Sequence, residues 1–198
     1  MLETEETNNL AEETVTFMLA AIGDDPKREG LQETPKRVVK AWKEWFAGYK
    51  QNPAEVLKVF EDGADNYNQM ILVSNIPVYS KCEHHGADIF GLAHVAYIPS
   101  GKIVGLSKMS RLVDVFARRL QVQERLTVQI ADAIQEHLAP IGVGVVLQCR
   151  HMCMESRGIT VRGAVTTTSA MRGAFLDEQE TRSEFLRLID SARNGISI

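Results

Sequence analysis

The strongest constraint on the fold of this chain is the order in which its hydrophobic period changes. In the N-terminal quarter, apolar residues recur at helical spacing. From Met70 they form short β-rich runs, and from Ser107 they return to helical spacing. Further β-rich runs, "VGVVLQCRHMCM" and "GITVRGAVTTT", precede a last helix with Thr181 and Glu184 as a capping box. Two strand pairs flanking a helical pair predict an α+β fold, because doubly wound α/β folds alternate strand and helix.

The two N-terminal helices have ordinary start and stop signals. Asn8 or Asn9 can cap the first helix and Gly23 can end it, while Thr34 can cap the second, with Pro35 in its first turn. The apolar stripe of the second helix, which we expect to face the core, consists of Val38, Trp42, Trp45, Phe46 and Tyr49.

The segment with the weakest periodicity lies between these helices and the first strands. Residues 50–68 contain no clear repeat of apolar positions, so we expect them to join helices to sheet. The predicted organisation is therefore an N-terminal helical region, 1–68, followed by a larger domain, 69–198. Within that domain, residues 99–101, "PSG", are expected to form a hairpin turn between "HVAYIP" and "KIVGL".

Composition excludes several classes of partner. The 198 residues are 44% hydrophobic, which suffices for a buried core, and the formal net charge of −4 argues against broad binding to nucleic acid or an anionic membrane. The acidic N-terminal stretch does not resemble a secretion signal, and no apolar run reaches the roughly 20 residues of a membrane span. We therefore expect a cytoplasmic protein, whose three cysteines serve as thiols, metal ligands or nucleophiles.

Two clusters of cysteine and histidine predict a metal site. "CEHH" gives Cys82 and His85 the Cys-x-x-His spacing with which a tight turn can hold zinc. In "QCRHMCM", strand alternation would put Cys149, His151 and Cys153 on one face. Spacing does not decide whether Cys149 or Cys153 is the third ligand. The alternative is that the cysteines are buried and inert and the histidines packed in the core.

The mixed ligand set favours an open catalytic site over a closed structural one. Two cysteines and one histidine leave a fourth position for water, and the remaining imidazoles, His84 and His151, would be placed to move protons. The deaminase pattern H-x-E with P-C-x-x-C and the metalloprotease helix H-E-x-x-H are both absent from the sequence. His94 is expected to be a packed strand histidine. For His137 we expect a favourable interaction with the dipole at the C-terminal end of its helix.

Basic residues offer a local site for an anion. "GLSKMSR" ends a strand at Gly105 and starts a helix with Ser107 at the cap, so that backbone N–H groups, Lys108 and Arg111 could converge on a phosphate. Arg157 and Arg37 are further candidates. The competing interpretation is an ordinary capped helix with solvated charges.

"QVQERLT" contains a possible base-recognition residue. A carboxylate such as Glu124 can accept two parallel hydrogen bonds from the N1–H and 2-amino groups of guanine. By spacing alone, an ion pair of Glu124 with Arg125 or Arg119 is the simpler interpretation.

Taken together, these stretches resemble the zinc-dependent GTP cyclohydrolase I family. The resemblance is carried by "CEHH", "HVAYIP", "VGLSK", "QVQERLT", "HMCMESRG", "TTTS" and, upstream, "ETPKRV", in that family's order, and covers about residues 10–192. It implies the tunnelling fold, an antiparallel sheet with a helical pair after an N-terminal helical region. It also implies ten subunits stacked as two five-membered rings, with active sites at subunit boundaries.

The resemblance implies a reaction and a role for each site residue. The reaction is hydrolytic opening of the imidazole ring of GTP, with release of formate and formation of 7,8-dihydroneopterin triphosphate, the first step of tetrahydrofolate and pterin biosynthesis. The family's zinc ligands correspond to Cys82, His85 and Cys153, and its proton-transfer groups to His84 and His151. Its substrate-binding positions correspond to Glu124 for guanine, with Gln123 beside it, and to Ser107, Lys108, Arg111, Arg157 and Arg37 for triphosphate and ribose.

Two features depart from the family pattern as we expect it. "GADIFGL" after "CEHH" differs from the expected segment, and Cys149 adds a thiol that the family does not require. Neither affects a matched ligand. The alternatives are a related tunnelling-fold enzyme acting on another purine or pterin, and a zinc-stabilised nucleotide-binding scaffold without catalysis.

Overall fold

The computed structural model describes residues 4–60 and 67–194, and in it the chain divides into two compact units. One unit comprises the residues up to Ala47, and the other those from Gly48 onward. The predicted division into an N-terminal helical region, 1–68, and a larger domain, 69–198, stays a prediction.

The first unit contains two helices that pack on each other, α1 (Glu5–Ala21) and α2 (Thr34–Trp45), with a 3₁₀ turn at Glu29–Leu31 between them. Thr4 caps α1 by accepting a hydrogen bond from the Thr7 backbone N–H, so the prediction of Asn8 or Asn9 as cap is wrong. Gly23 lies just beyond the helix at φ +95°, as predicted for its stop.

The apolar stripe predicted for the second helix is wrong at two positions. Val39 and Pro35 are the buried residues of α2, whereas Trp45 and Tyr49 are about half-exposed. The stripe predicted from spacing therefore does not match the buried face, which is centred on Val39 and Pro35.

The strands of the second unit are β1 (Val59–Phe60), β2 (Ile71–Cys82), β3 (Asp88–Ile98), β4 (Ile103–Val104), β5 (Leu120–Gln121), β6 (Gly142–His151) and β7 (Thr166–Gly173). Five of them form a sheet with the strand order β5-β2-β3-β6-β7. Its neighbouring strands pair antiparallel except for β5, which runs parallel to β2. A separate two-stranded sheet pairs β1 with β4.

Helices cover both faces of the larger sheet. One face packs against the helical pair, and the other contacts Phe175 and Phe185. Val145 and Val146 illustrate the division, because successive strand residues point to opposite faces and these two belong to different buried clusters. The helices are α3 (Pro53–Val56), α4 (Leu106–Ala117), α5 (Gln123–Leu138), α6 (Met152–Glu155), α7 (Ala174–Asp177) and α8 (Gln179–Asn194).

The predicted α+β fold is thus confirmed, with the helical pair α4 and α5 between the strand pairs β2–β3 and β6–β7. Among the described residues, no helix is both long and apolar enough to span a membrane.

Three local predictions are wrong. Residues 99–101 do not join paired strands, because β4 pairs with β1 and not with β3. The run "GITVRGAVTTT" becomes a strand only from Thr166. Thr181 does not begin the last helix, which starts at Gln179, and its hydroxyl instead donates to the Glu178 carboxylate.

Candidate metal centre and active site

The first half of the candidate centre is a tight turn at the end of β2. Cys82 is the last residue of β2 and is buried. Its backbone carbonyl closes the turn by accepting hydrogen bonds from the N–H groups of His85 and Gly86. Gly86 adopts φ +64°, a left-handed conformation that favours glycine. The turn brings Nδ1 of His85 within 3.7 Å of Cys82 Sγ, and Nδ1 of His84 within 3.9 Å of the same sulfur.

Glu83 and Arg125 connect this turn to α5. The Glu83 backbone N–H donates to the Gln121 carbonyl at 3.0 Å, and the Glu83 carboxylate pairs with the Arg125 guanidinium. Arg125 also donates through Nε to the Gln121 side-chain oxygen at 3.1 Å. The hydrogen bond from Arg125 holds the pKa of Glu83 below its usual range. Residue spacing indicated no role for Glu83. In the structure it ties the turn at residues 82–86, here called the metal turn, to Gln121 and Arg125.

The second half of the centre lies where β6 ends. The strand stops at His151, and Cys153 lies on the short helix α6, so the prediction of one continuous strand face through Cys153 is wrong. The ligand atoms of Cys82, His85 and Cys153 all lie within 4.8 Å of one another. Burial has the largest effect on the Cys153 thiol and raises its pKa, and the neighbouring Cys82 thiol acts in the same direction.

Cys149 lies apart from this group. It is fully buried within β6, where it pairs with Gly91 of β3 and Thr166 of β7. Burial raises the pKa of its thiol to about 12, so the thiolate that a metal requires is strongly disfavoured there. Of the two cysteines that spacing could not separate, the structure brings Cys153 to Cys82 and His85.

An ion pair holds α6 against β6. Nε of Arg150 donates to the Glu155 carboxylate at 2.7 Å, and the Gly163 backbone N–H donates to the same group at 3.2 Å. The hydrogen bond from Arg150 lowers the pKa of Glu155 to about 2. The contacts join Glu155 and Gly163, the two ends of the segment that carries Arg157. Nη1 of Arg157 lies 3.2 Å from His85 Nε2. Sequence reasoning missed this brace, although "HMCMESRG" contains Glu155.

His151 is the last residue of β6, and its side chain contacts the start of α5. Its Nε2 is 2.8 Å from the side-chain oxygen of Gln123, a residue that is only 1% exposed. Burial lowers the pKa of His151, and the Glu124 carboxylate acts in the opposite direction. The imidazole is therefore half-buried, held by one hydrogen bond, and favoured in its neutral form.

Glu124 is exposed in the first turn of α5. The ion pair suggested by its spacing is not formed with either candidate arginine. Arg125 pairs with Glu83, and Arg119 donates to the backbone carbonyls of Gly48 and Val115. The carboxylate is thus positioned near His151 without an arginine partner from its own helix.

Two of the predicted anion residues, Ser107 and Lys108, lie at the opposite end of α4 from the metal turn. The helix starts after Val104, whose N–H donates to the Tyr97 hydroxyl, and Tyr97 pairs with Ile71 at the beginning of β2. The helix ends before Leu120, which pairs with Lys81 at the end of β2.

This arrangement separates Ser107 and Lys108 from Cys82 within one chain. At 1.5 Å per residue, Ser107 and Ala117 are about 15 Å apart along the helix. The helix cap is Gly105, so Ser107 lies inside the first turn and is not the cap that the sequence predicted. Arg111 lies one turn further along α4, and Arg37 belongs to α2 of the first unit.

The two histidines outside the cluster have structural surroundings. His94 is fully buried in β3, where Nδ1 accepts a hydrogen bond from the Asn75 backbone N–H, as expected of a packed strand histidine. His137 lies in the last turn of α5.

Comparison with known proteins identifies relatives over most of the chain. The model of the GTP cyclohydrolase I family matches residues 11–190. The chain is 61% identical over 171 residues to a GTP cyclohydrolase 1 from Janthinobacterium sp. (strain Marseille), with 86% of each protein covered. It is 58% identical to a GTP cyclohydrolase 1 from Nitrosospira multiformis, covering 88% of this chain and 91% of that protein. A match of this identity and extent is sufficient to assign the protein: the chain belongs to the GTP cyclohydrolase I family.

Proposed function

We propose that this enzyme hydrolyses the imidazole ring of GTP with zinc, releasing formate and forming 7,8-dihydroneopterin triphosphate. The observation that supports this most strongly is the group formed by Cys82, His85 and Cys153. The imidazole of His84 lies beside Cys82, and His151 ends the strand that leads to Cys153. A scaffold would need the three ligands alone, whereas a hydrolase also needs groups that transfer protons.

The donor set fits zinc. Thiolate sulfur and imidazole nitrogen are its preferred protein ligands, and three of them leave one position open, as in catalytic sites. When bound, zinc would supply Lewis-acid chemistry that activates water at neutral pH. Cys82, His85 and Cys153 would hold it, with the Glu83–Arg125 and Arg150–Glu155 pairs keeping the two halves of the site in place.

His151 and His84 are the proposed proton-transfer groups. A neutral, half-buried imidazole such as His151 can take a proton and return it, which ring opening requires at N7 of the purine and later at the ribose oxygen. The side chain of His84 is 63% exposed, so it is open to a bound nucleotide while its Nδ1 remains close to Cys82.

Glu124 is the proposed guanine-recognition residue. Its carboxylate is exposed and forms no ion pair with Arg119 or Arg125. Glu124 directly follows Gln123, the residue that contacts His151. It could accept hydrogen bonds from N1–H and the 2-amino group together.

The phosphate-binding residues support a pocket shared between subunits. Arg157 lies beside His85, but Ser107 and Lys108 occupy the end of α4 remote from the metal turn of their own chain, and Arg111 follows in the middle of the helix. We therefore propose that a neighbouring copy supplies these residues, together with Arg37. A decamer of two pentamers with sites at subunit boundaries would allow this. We further propose that the enzyme acts in the cytoplasm at the first step of pterin and tetrahydrofolate synthesis.

Product analysis with several nucleotides tests the proposed reaction. Zinc-loaded protein incubated with GTP should release formate and a product that becomes a fluorescent pterin on oxidation. ATP should yield neither, because it lacks the N1–H and 2-amino donors that Glu124 would bind. A protein that bound GTP without releasing formate would instead be the non-catalytic scaffold.

A further inference from the structure

We infer that Gln123 is a positioning residue that fixes the orientation and the tautomer of His151, and that it does not bind the substrate. This inference rests on the proposed role of His151 in proton transfer. It departs from the sequence resemblance, which groups Gln123 with the substrate-binding residues. The argument depends on the hydrogen bonds of a single side-chain amide.

The partners of the amide nitrogen determine which way the amide faces. Nε2 of Gln123 donates to the backbone carbonyls of Leu147 and Thr166, at 3.2 and 2.9 Å, and lies 3.0 Å from the Thr168 hydroxyl. A carbonyl oxygen cannot donate, so a flipped amide would place its own oxygen against two carbonyl oxygens. The nitrogen must therefore point toward β6 and β7.

The oxygen of the amide then faces His151. Oε1 lies 2.8 Å from His151 Nε2, and an amide oxygen can only accept a hydrogen bond. His151 must therefore carry its proton on Nε2 when the imidazole is neutral. Nδ1 is left as the nitrogen that can exchange a proton with the substrate.

The side-chain nitrogen of Gln123 has no hydrogen left to donate to a ligand, and burial keeps the amide away from a bound substrate. The two hydrogens of Nε2 are already shared among three acceptors, and the residue is 1% exposed. Its backbone carbonyl accepts a hydrogen bond from the Thr127 hydroxyl at 2.7 Å, and that hydroxyl lies 2.7 Å from the hydroxyl of Thr168. The first turn of α5 is thus tied to β7, and the amide is rigid.

Kinetics of a Gln123→Met variant separate positioning from substrate binding. Loss of an outer-shell hydrogen-bond partner typically costs 10- to 100-fold in activity, so we expect kcat to fall by about that factor while KM for GTP changes little. Thr168→Val is the matched control. It removes one acceptor of the same amide, keeps both carbonyl acceptors and the bond to His151, and should leave kcat close to the unaltered value. A raised KM with unchanged kcat in Gln123→Met would overturn the inference.

A second readout does not depend on turnover. In protein with ¹⁵N-labelled histidine under mildly alkaline conditions, NMR distinguishes the protonated ring nitrogen from the unprotonated one, and a His151→Ala sample identifies the His151 signals. We expect His151 to be protonated at Nε2 in the unaltered protein and to populate both tautomers in Gln123→Met. Protonation at Nδ1 in the unaltered protein would refute the inference, whereas failure to release formate from GTP would refute only the proposed function.

Discussion

Cys153→Ser should lose both bound zinc and GTP turnover, whereas Cys149→Ala should keep both. Cys153 lies within 4.8 Å of the other two ligand atoms, while Cys149 is buried in the sheet with a thiol pKa raised to about 12. Because a direct ligand is removed, we expect zinc affinity to fall by more than the 10- to 100-fold that is typical of outer-shell changes. Zinc bound per chain, measured by elemental analysis after dialysis, gives the result.

Alanine is the better replacement at Cys149 because a serine hydroxyl there would be buried. A buried hydroxyl without a partner costs about 1–3 kcal/mol, which could be mistaken for an effect on the metal. Circular dichroism of each variant checks that the chain is folded before its zinc content is compared. The third ligand would be misassigned if Cys149→Ala lost zinc and Cys153→Ser retained it.

His151→Ala should keep its zinc but lose about 10²- to 10⁴-fold in kcat, the range for removal of a general acid–base group. The imidazole contacts Gln123 and is not part of the group formed by Cys82, His85 and Cys153. Single-turnover release of formate is the appropriate measurement, because it separates chemistry from product release.

His137→Ala is the control for removing an imidazole elsewhere. His137 lies in the last turn of α5, so its loss should affect only the local interaction with the helix end, worth about 0.3–1 kcal/mol. Turnover should be unchanged. Loss of zinc in His151→Ala would contradict the separation of metal binding from proton transfer.

The element order was predictable from the sequence because long, strongly periodic segments signal their own structure. Leu112 on α4 and Leu126 and Ile130 on α5 are fully buried, as the helical spacing indicated. Very short elements gave no such signal. A hydrophobic period cannot be seen in the two-residue strands β1 and β4 or in the four-residue helix α6. The predictions of a hairpin turn at 99–101 and of a strand at Cys153 were wrong for this reason.

The candidate site was predictable in its residue types but not in its connections. Cysteine and histidine at "CEHH" and "HMC" indicate metal chemistry by themselves. The pairing of Glu83 with Arg125 joins residues 42 positions apart, and the contact of Gln123 with His151 spans 28, so neither follows from local spacing. The position of Ser107 and Lys108 remote from their own metal turn depends on how α4 runs along β2, which one sequence does not reveal.

The most direct test of the central claim is to restore zinc stepwise to chelated protein and measure bound metal and formate release from GTP in the same samples. The proposed function predicts that formate release rises in proportion to bound zinc and levels off when the Cys82, His85 and Cys153 group is filled, at one ion per chain. Full formate release from metal-free protein, or none from protein with one zinc per chain, would contradict it.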